Sequence, residues 1–140
     1  KTYQDRTDIA SNDAGCVASI VASDRDAGAI RVALDNAERA GVKSFIEFSQ
    51  RAVSAIETDN VGWIVTNPPY GVRVNTQKDI RNLYAQFGNV LRNKCPGWHI
   101  AILCNELALL HQTRIPLDTS TKLINGGIPV FVAKGTIPLA

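Results

Sequence analysis

The sequence predicts an α/β fold: a doubly wound, mostly parallel sheet with a C-terminal antiparallel hairpin. Three observations carry this. Short runs of β-formers alternate with segments of helical period, "DIRNLYAQFGNVLR" keeps an unbroken amphipathic spacing, and "NGG" separates two β-rich runs near the C terminus. Strand and helix in alternation give βαβ units and parallel pairing, and a closing hairpin adds an antiparallel strand at one edge.

In chain order, the first 16 residues are polar and turn-rich and predict no regular element. "VASIVAS", residues 17–23, predicts a short buried strand ending in the acidic turn "SDRD". Ala27, Ile30, Leu34 and Ala37 then fall at helical spacing, with Asp26 as the N-cap and Gly41 as the stop. "SFIEF", residues 44–48, predicts a second strand, followed by a polar stretch with one helical turn, and "GWIVT", residues 62–66, a third. Ile80, Leu83, Tyr84, Phe87, Val90 and Leu91 form the apolar stripe of a helix that ends before Pro96-Gly97. "HIAILC", residues 99–104, predicts a fourth strand with a short helix over residues 106–112, and the runs around Asn125-Gly126-Gly127 predict the hairpin.

Composition narrows the class. A chain of 140 residues with 45% apolar and 20% charged side chains has enough apolar material for one domain with a core. A net charge of +2, with no block of Lys or Arg, is too small to point to a dedicated polyanion binder, so a nucleic-acid partner would need further contacts from elsewhere. Cys16, Cys95 and Cys104 are odd in number and lie in no metal-binding spacing, so free buried thiols and a reducing, cytoplasmic setting are expected, with no metal site. No leader and no apolar run near 18 residues is present, so no membrane association is expected. Lys1 stands where an initiator Met would, and the first residue is not taken as a native start.

In open α/β sheets, ligands sit outside the carboxyl ends of the strands, so the residues just past each strand are the candidates. After the first strand, Asp24 is either an acid that accepts hydrogen bonds from both hydroxyls of a ribose or a capping acid in a polar turn; Asp26 reads as a cap. After the third come Asn67-Pro68-Pro69-Tyr70, where two prolines remove two backbone donors and hold the surrounding carbonyls rigid. That rigidity suits one reaction. A conjugated amine has its lone pair delocalised into a ring, and two acceptors on its N–H bonds draw the pair back onto nitrogen. The Asn67 side-chain oxygen and the Pro68 carbonyl are such acceptors, and Tyr70 can stack on a base flipped out to bring the amine there. A plain Pro-Pro turn with a surface Tyr is the alternative. A P-P-x-Y peptide ligand does not match, because Tyr70 directly follows Pro69.

Together, "SDRD", "TNPPYG", "DIRNLYAQFGNVLR" and the terminal "NGG" resemble the class I S-adenosylmethionine-dependent methyltransferases of nucleobase amines, from residue 17 to the end of the chain. Within these the sequence is most similar to the RNA methylase family that often carries an RNA-binding THUMP domain and includes the rRNA guanine-N2 methyltransferases. The resemblance implies a Rossmann-like fold, S-adenosyl-L-methionine as cofactor, and methyl transfer to guanine N2 of rRNA or tRNA, with adenine N6 of DNA or RNA as the other substrate. It implies Asn67, Pro68, Pro69 and Tyr70 as the catalytic loop, with Tyr70 on the substrate base, and Asp24, Gln50 and Asn67 as cofactor-binding residues; Arg73, just past the loop, is a further substrate-binding candidate by position. "NPPY" is the specific part of the match; "SDRD" alone is not.

Two departures stand out. Where family members carry an acid for the cofactor adenine, this chain has "FSQRAV", leaving Gln50 to make that hydrogen bond, with Arg51 beside it. The Gly-rich turn after the family's first strand is missing, since the chain contains no G-x-G. That strand lies centrally in the family's sheet, so its absence should leave two strands with unpaired edges. Residues 1–140 are therefore expected to be the later part of one incomplete catalytic domain, lacking the first strand and its loop, with an upstream segment or RNA-binding domain elsewhere. Arg73, Lys78 and Arg81 either touch RNA phosphates or form a solvated face, and His99 and His111 read as structural. The rival classes are a non-catalytic scaffold module, favoured by the missing Gly-rich turn, and a dinucleotide oxidoreductase, which Asp24 fits but which needs G-x-G-x-x-G.

Overall fold

The computed structural model describes residues 18–58, 60–70 and 77–139. The chain divides into two compact units, residues 1–53 and 54–140.

In the first unit, strands β1 (Ile20–Asp24) and β2 (Ile46–Gln50) pair in parallel, with Asp24 opposite Gln50, around helix α1 (Ala27–Arg39). Asp26 has extended backbone and its carboxylate accepts the Gly28 N–H at 2.8 Å, so it is the expected N-cap. Gly41 closes the helix at φ 70°, a conformation that a side chain resists. Two expectations need correction. The second strand begins at Ile46, not at residue 44, because Lys43–Phe45 form a 3-10 turn whose Phe45 only mimics a strand residue. The first strand is not buried: Ile20 is 47% and Val21 57% exposed. Its sole ladder among the described residues is with β2, so its other edge is open.

In the second unit the order is β3-β4-β6-β5, built from β3 (Trp63–Thr66), β4 (His99–Cys104), β5 (Lys122–Asn125) and β6 (Ile128–Thr136). β3 and β4 are parallel; β6 is antiparallel to both β4 and β5. The two-residue turn at Gly126 (φ 57°) and Gly127 (φ 82°) makes the expected hairpin. Pro129 lacks a ladder donor and sits where β6 runs past the end of β4, paired only with β5. Helices α2 (Gln77–Lys94) and α3 (Leu107–Gln112) complete the unit.

The predicted apolar stripe of α2 supplies Ile80, Tyr84, Phe87 and Leu91 to the core, which they form with Ile100, Ile102, Cys104, Leu109, Leu110 and Ala133. The polar Tyr84 hydroxyl is fully inside and donates to Cys104 Sγ at 3.4 Å; burial, then that contact, holds its pKa far above the usual phenol value. Cys95 and Cys104 are buried free thiols, as expected; Cys16 lies outside the described residues. β3 also departs from a buried strand. Trp63 and Val65 are 60% and 79% exposed while Ile64 packs on the core, because β4 is its one partner among the described residues. No helix among the described residues is long and apolar enough to cross a membrane.

Candidate active site

At the carboxyl ends of β1 and β2, Asp24 closes its strand instead of following it, directly opposite Gln50. The Asp24 carboxylate accepts the Asp26 backbone N–H at 2.8 Å, and its own backbone carbonyl accepts from the Arg51 N–H at 2.8 Å. One carboxylate oxygen thus holds the turn into α1. The other has no partner among the described residues, and the side chain is exposed. The N-cap is Asp26, while Asp24 holds the turn through one carboxylate oxygen, so a structural role for the acid at position 24 stands beside the ligand-binding one.

Gln50 turns its side-chain amide back to donate to the Arg25 carbonyl at 3.1 Å. Its amide oxygen remains available to accept a hydrogen bond from an amine. Asp24 and Gln50 are register partners at the carboxyl ends of two neighbouring parallel strands, so both acceptors stand at the same end of this sheet.

In the second unit, Asn67-Pro68-Pro69-Tyr70 leave the carboxyl end of β3, where Thr66 pairs with Ile102 of β4. Asn67 and Pro69 are exposed; Pro68 and Tyr70 are half-buried, with Tyr70 packed against the core. The alternation holds the loop down at two points and leaves Asn67 facing solvent. The Tyr70 hydroxyl accepts a hydrogen bond from Asn125 Nδ2 at 2.9 Å, across 55 residues of sequence. Arg73 lies outside the described residues; Lys78 and Arg81 are exposed on the first two turns of α2.

His99 is at the amino end of β4, away from this loop, where its ring lies 4.9 Å from Trp63 and its Nδ1 is 3.1 Å from Thr136 Oγ1. His111 is exposed near the end of α3. Neither joins the loop. A cleft of about 260 Å³ opens among Val61, Lys94, Pro96 and Trp98, which places it at the amino ends of β3 and β4. It lies at the end of these strands opposite to that at which ligands gather in open α/β sheets. At the carboxyl end, a cleft of about 160 Å³ is lined by Asn105, Lys122, Pro129, Val130 and Phe131. Asn105 follows β4 directly, and its Oδ1 is buried with no partner among the described residues. Sequence reasoning missed Asn105 and Asn125, since neither stands in a motif; only the turn signal of "NGG" marks the second.

The model of the UPF0020 family, described as RMKL-like, methyltransferase domain, matches residues 2–130. The chain belongs to that family. It is 33% identical over 114 residues to the ribosomal RNA large subunit methyltransferase K/L of Shewanella sp. (strain W3-18-1), a match covering 81% of this chain and 16% of that protein. Among solved structures, a candidate methyltransferase, SMU.472, complexed with SAH superposes with a TM-score of 0.79 at 22% identity, covering 96% of this chain and 35% of the other. A predicted N6-adenine-specific DNA methylase from Listeria monocytogenes (str. 4b F2365) superposes with a TM-score of 0.62 at 29% identity, covering 80% and 29%. The fold is thus that of Rossmann-like methyltransferases. The chain spans about one sixth of the length of the curated relatives it matches.

Proposed function

We propose that this chain is part of a catalytic domain that transfers a methyl group from S-adenosyl-L-methionine to an exocyclic amine of a nucleobase, guanine N2 of rRNA or tRNA ahead of adenine N6. The observation that carries the reading is the position of Asn67-Pro68-Pro69-Tyr70, at the carboxyl end of a parallel strand in a chain of a methyltransferase-domain family. The preference for RNA rests on the rRNA methyltransferase relatives. The adenine alternative rests on the Listeria neighbour.

The cofactor, when bound, supplies an electrophilic methyl group on a sulfonium. The residues fit it: Asp24 has a carboxylate oxygen to spare for the ribose hydroxyls, and Gln50 an amide oxygen for the adenine amine. On the substrate side, the Asn67 side-chain oxygen and the Pro68 carbonyl accept the two amine N–H bonds and turn the nitrogen lone pair toward the electrophile. The two proline rings fix φ at positions 68 and 69, which holds the Pro68 carbonyl nearly rigid. Tyr70 stacks on the base, and Arg73 contacts the RNA backbone. No protein nucleophile and no metal take part. Among the described residues β1 and β3 each have one ladder partner, and Val21, Trp63 and Val65 are exposed.

Calorimetric titration of S-adenosylmethionine tests this reading, run on the chain and on a version extended upstream through the Gly-rich turn. Binding to the extended form is expected, with the Asp24→Ala variant weakened by about 10- to 100-fold, the range for losing hydrogen bonds to a charged group. Absence of binding to both forms overturns the enzyme reading and leaves the scaffold in its place.

A further inference from the structure

We propose that Asn125, at the tip of the C-terminal hairpin, is a positioning residue for Tyr70: its side-chain amide holds the phenolic oxygen and leaves the phenolic proton for an acceptor on the RNA substrate. The inference rests on the methyltransferase reading above and assigns the hairpin a part in it.

The geometry begins with strand lengths. β4 ends at Cys104, opposite Phe131, so residues 128–130 continue past the carboxyl edge of β4 with only β5 beside them. At 3.3 to 3.4 Å per residue the overhang is about 10 Å. It projects from the same edge at which the chain leaves β3 for the Asn67 loop, because β3 and β4 are parallel. Asn125 pairs with Ile128 across the Gly126-Gly127 turn, whose two positive φ values fix the tip in a form that residues with side chains adopt poorly. The position of Asn125 is therefore set by backbone, and from it Nδ2 reaches the Tyr70 hydroxyl at 2.9 Å.

A phenol has one donor and two acceptor lone pairs. Asn125 fills an acceptor site and does not consume the donor. The Tyr70 ring is held by the core along its body and by the amide at its tip, which removes the rotamer freedom that a stacking residue otherwise loses when the base arrives. A hydroxyl donor turned away from the hairpin can then meet a ring nitrogen or carbonyl oxygen of the flipped base. Neither role is visible from "NPPY" alone, since the partner lies 55 residues downstream.

A double-mutant cycle on the full-length protein decides it. Asn125→Ala should lower kcat/KM for RNA by roughly ten-fold, the scale of one hydrogen bond, in the wild-type background and leave it unchanged in the Tyr70→Phe background. KM for S-adenosylmethionine should stay constant throughout. Asn125→Asp keeps the tether but draws the phenolic proton inward, and should match Tyr70→Phe. Equal losses in both backgrounds, or full activity of Asn125→Asp, overturn the proposal while leaving the methyltransferase reading intact. A wild-type protein that methylates no base amine overturns both.

Discussion

Replacing Asn67 by alanine lowers methyl transfer by about 100- to 1,000-fold, the scale found when one fixed hydrogen-bonding group aimed at developing charge is removed. The amine nitrogen becomes a usable nucleophile only when its lone pair leaves the ring, and that rehybridisation places positive charge on its N–H bonds. Asn67 is exposed at the carboxyl end of β3, with Pro68 half-buried beneath it, so its side-chain oxygen is presented to an incoming base. The loss should fall on kcat more than on the KM for RNA, because the acceptor acts most strongly as charge develops. Asn67→Asp, which keeps an acceptor of the same length, should recover part of the rate. Initial-rate kinetics over a range of RNA concentrations measures both. A loss confined to KM would show that Asn67 only binds substrate.

Gly88→Ala should destabilise the protein by about 3 kcal/mol, a large share of the stability of a typical domain. A Cβ on Gly88 would lie 2.1 Å from the Thr113 carbonyl oxygen and 2.6 Å from both Thr113 C and Cα, so the obstacle is backbone and cannot rotate away. Thr113 is fully buried and tied in place. Its hydroxyl donates to the Leu110 carbonyl at 2.7 Å and accepts from the Ile115 N–H at 3.2 Å, while its carbonyl accepts from Arg92. Alanine is the better helix former by about 1 kcal/mol, and that gain is too small to offset pushing α2 off the chain at Thr113. Urea unfolding of the two proteins reads the difference. A neutral or stabilising result would mean that propensity wins and that the contact yields easily.

How much of the fold and site was legible in the sequence depended on the range of the interaction. The stripe Ile80, Leu83, Tyr84, Phe87, Val90 and Leu91 predicted α2 because helix period persists over about three turns, and β4 was legible over its full length between the Pro96-Gly97 break and the acid at Glu106. Lys43–Phe45 was misread because three residues are too few to separate a tight turn from a strand start when one of them is Phe. Apolar runs at Ile20 and Trp63 suggested burial, yet burial depends on which strands lie alongside, and each has one ladder partner among the described residues. Candidate loops were located by the rule that ligands gather at carboxyl strand ends. Asn125 was out of reach, since its contact with Tyr70 is made by the hairpin overhang and not by any local pattern.

The most direct test supplies the full-length protein with S-adenosylmethionine bearing a tritiated methyl group and with unmodified ribosomal RNA, then digests the RNA to nucleosides and separates them. Label is expected in N2-methylguanosine, lowered by about 100- to 1,000-fold with Asn67→Ala; N6-methyladenosine in its place would retain the amine chemistry and change the base. Label on a ring carbon, a ring nitrogen or a ribose oxygen, or no transfer to any nucleoside, would contradict the proposed function.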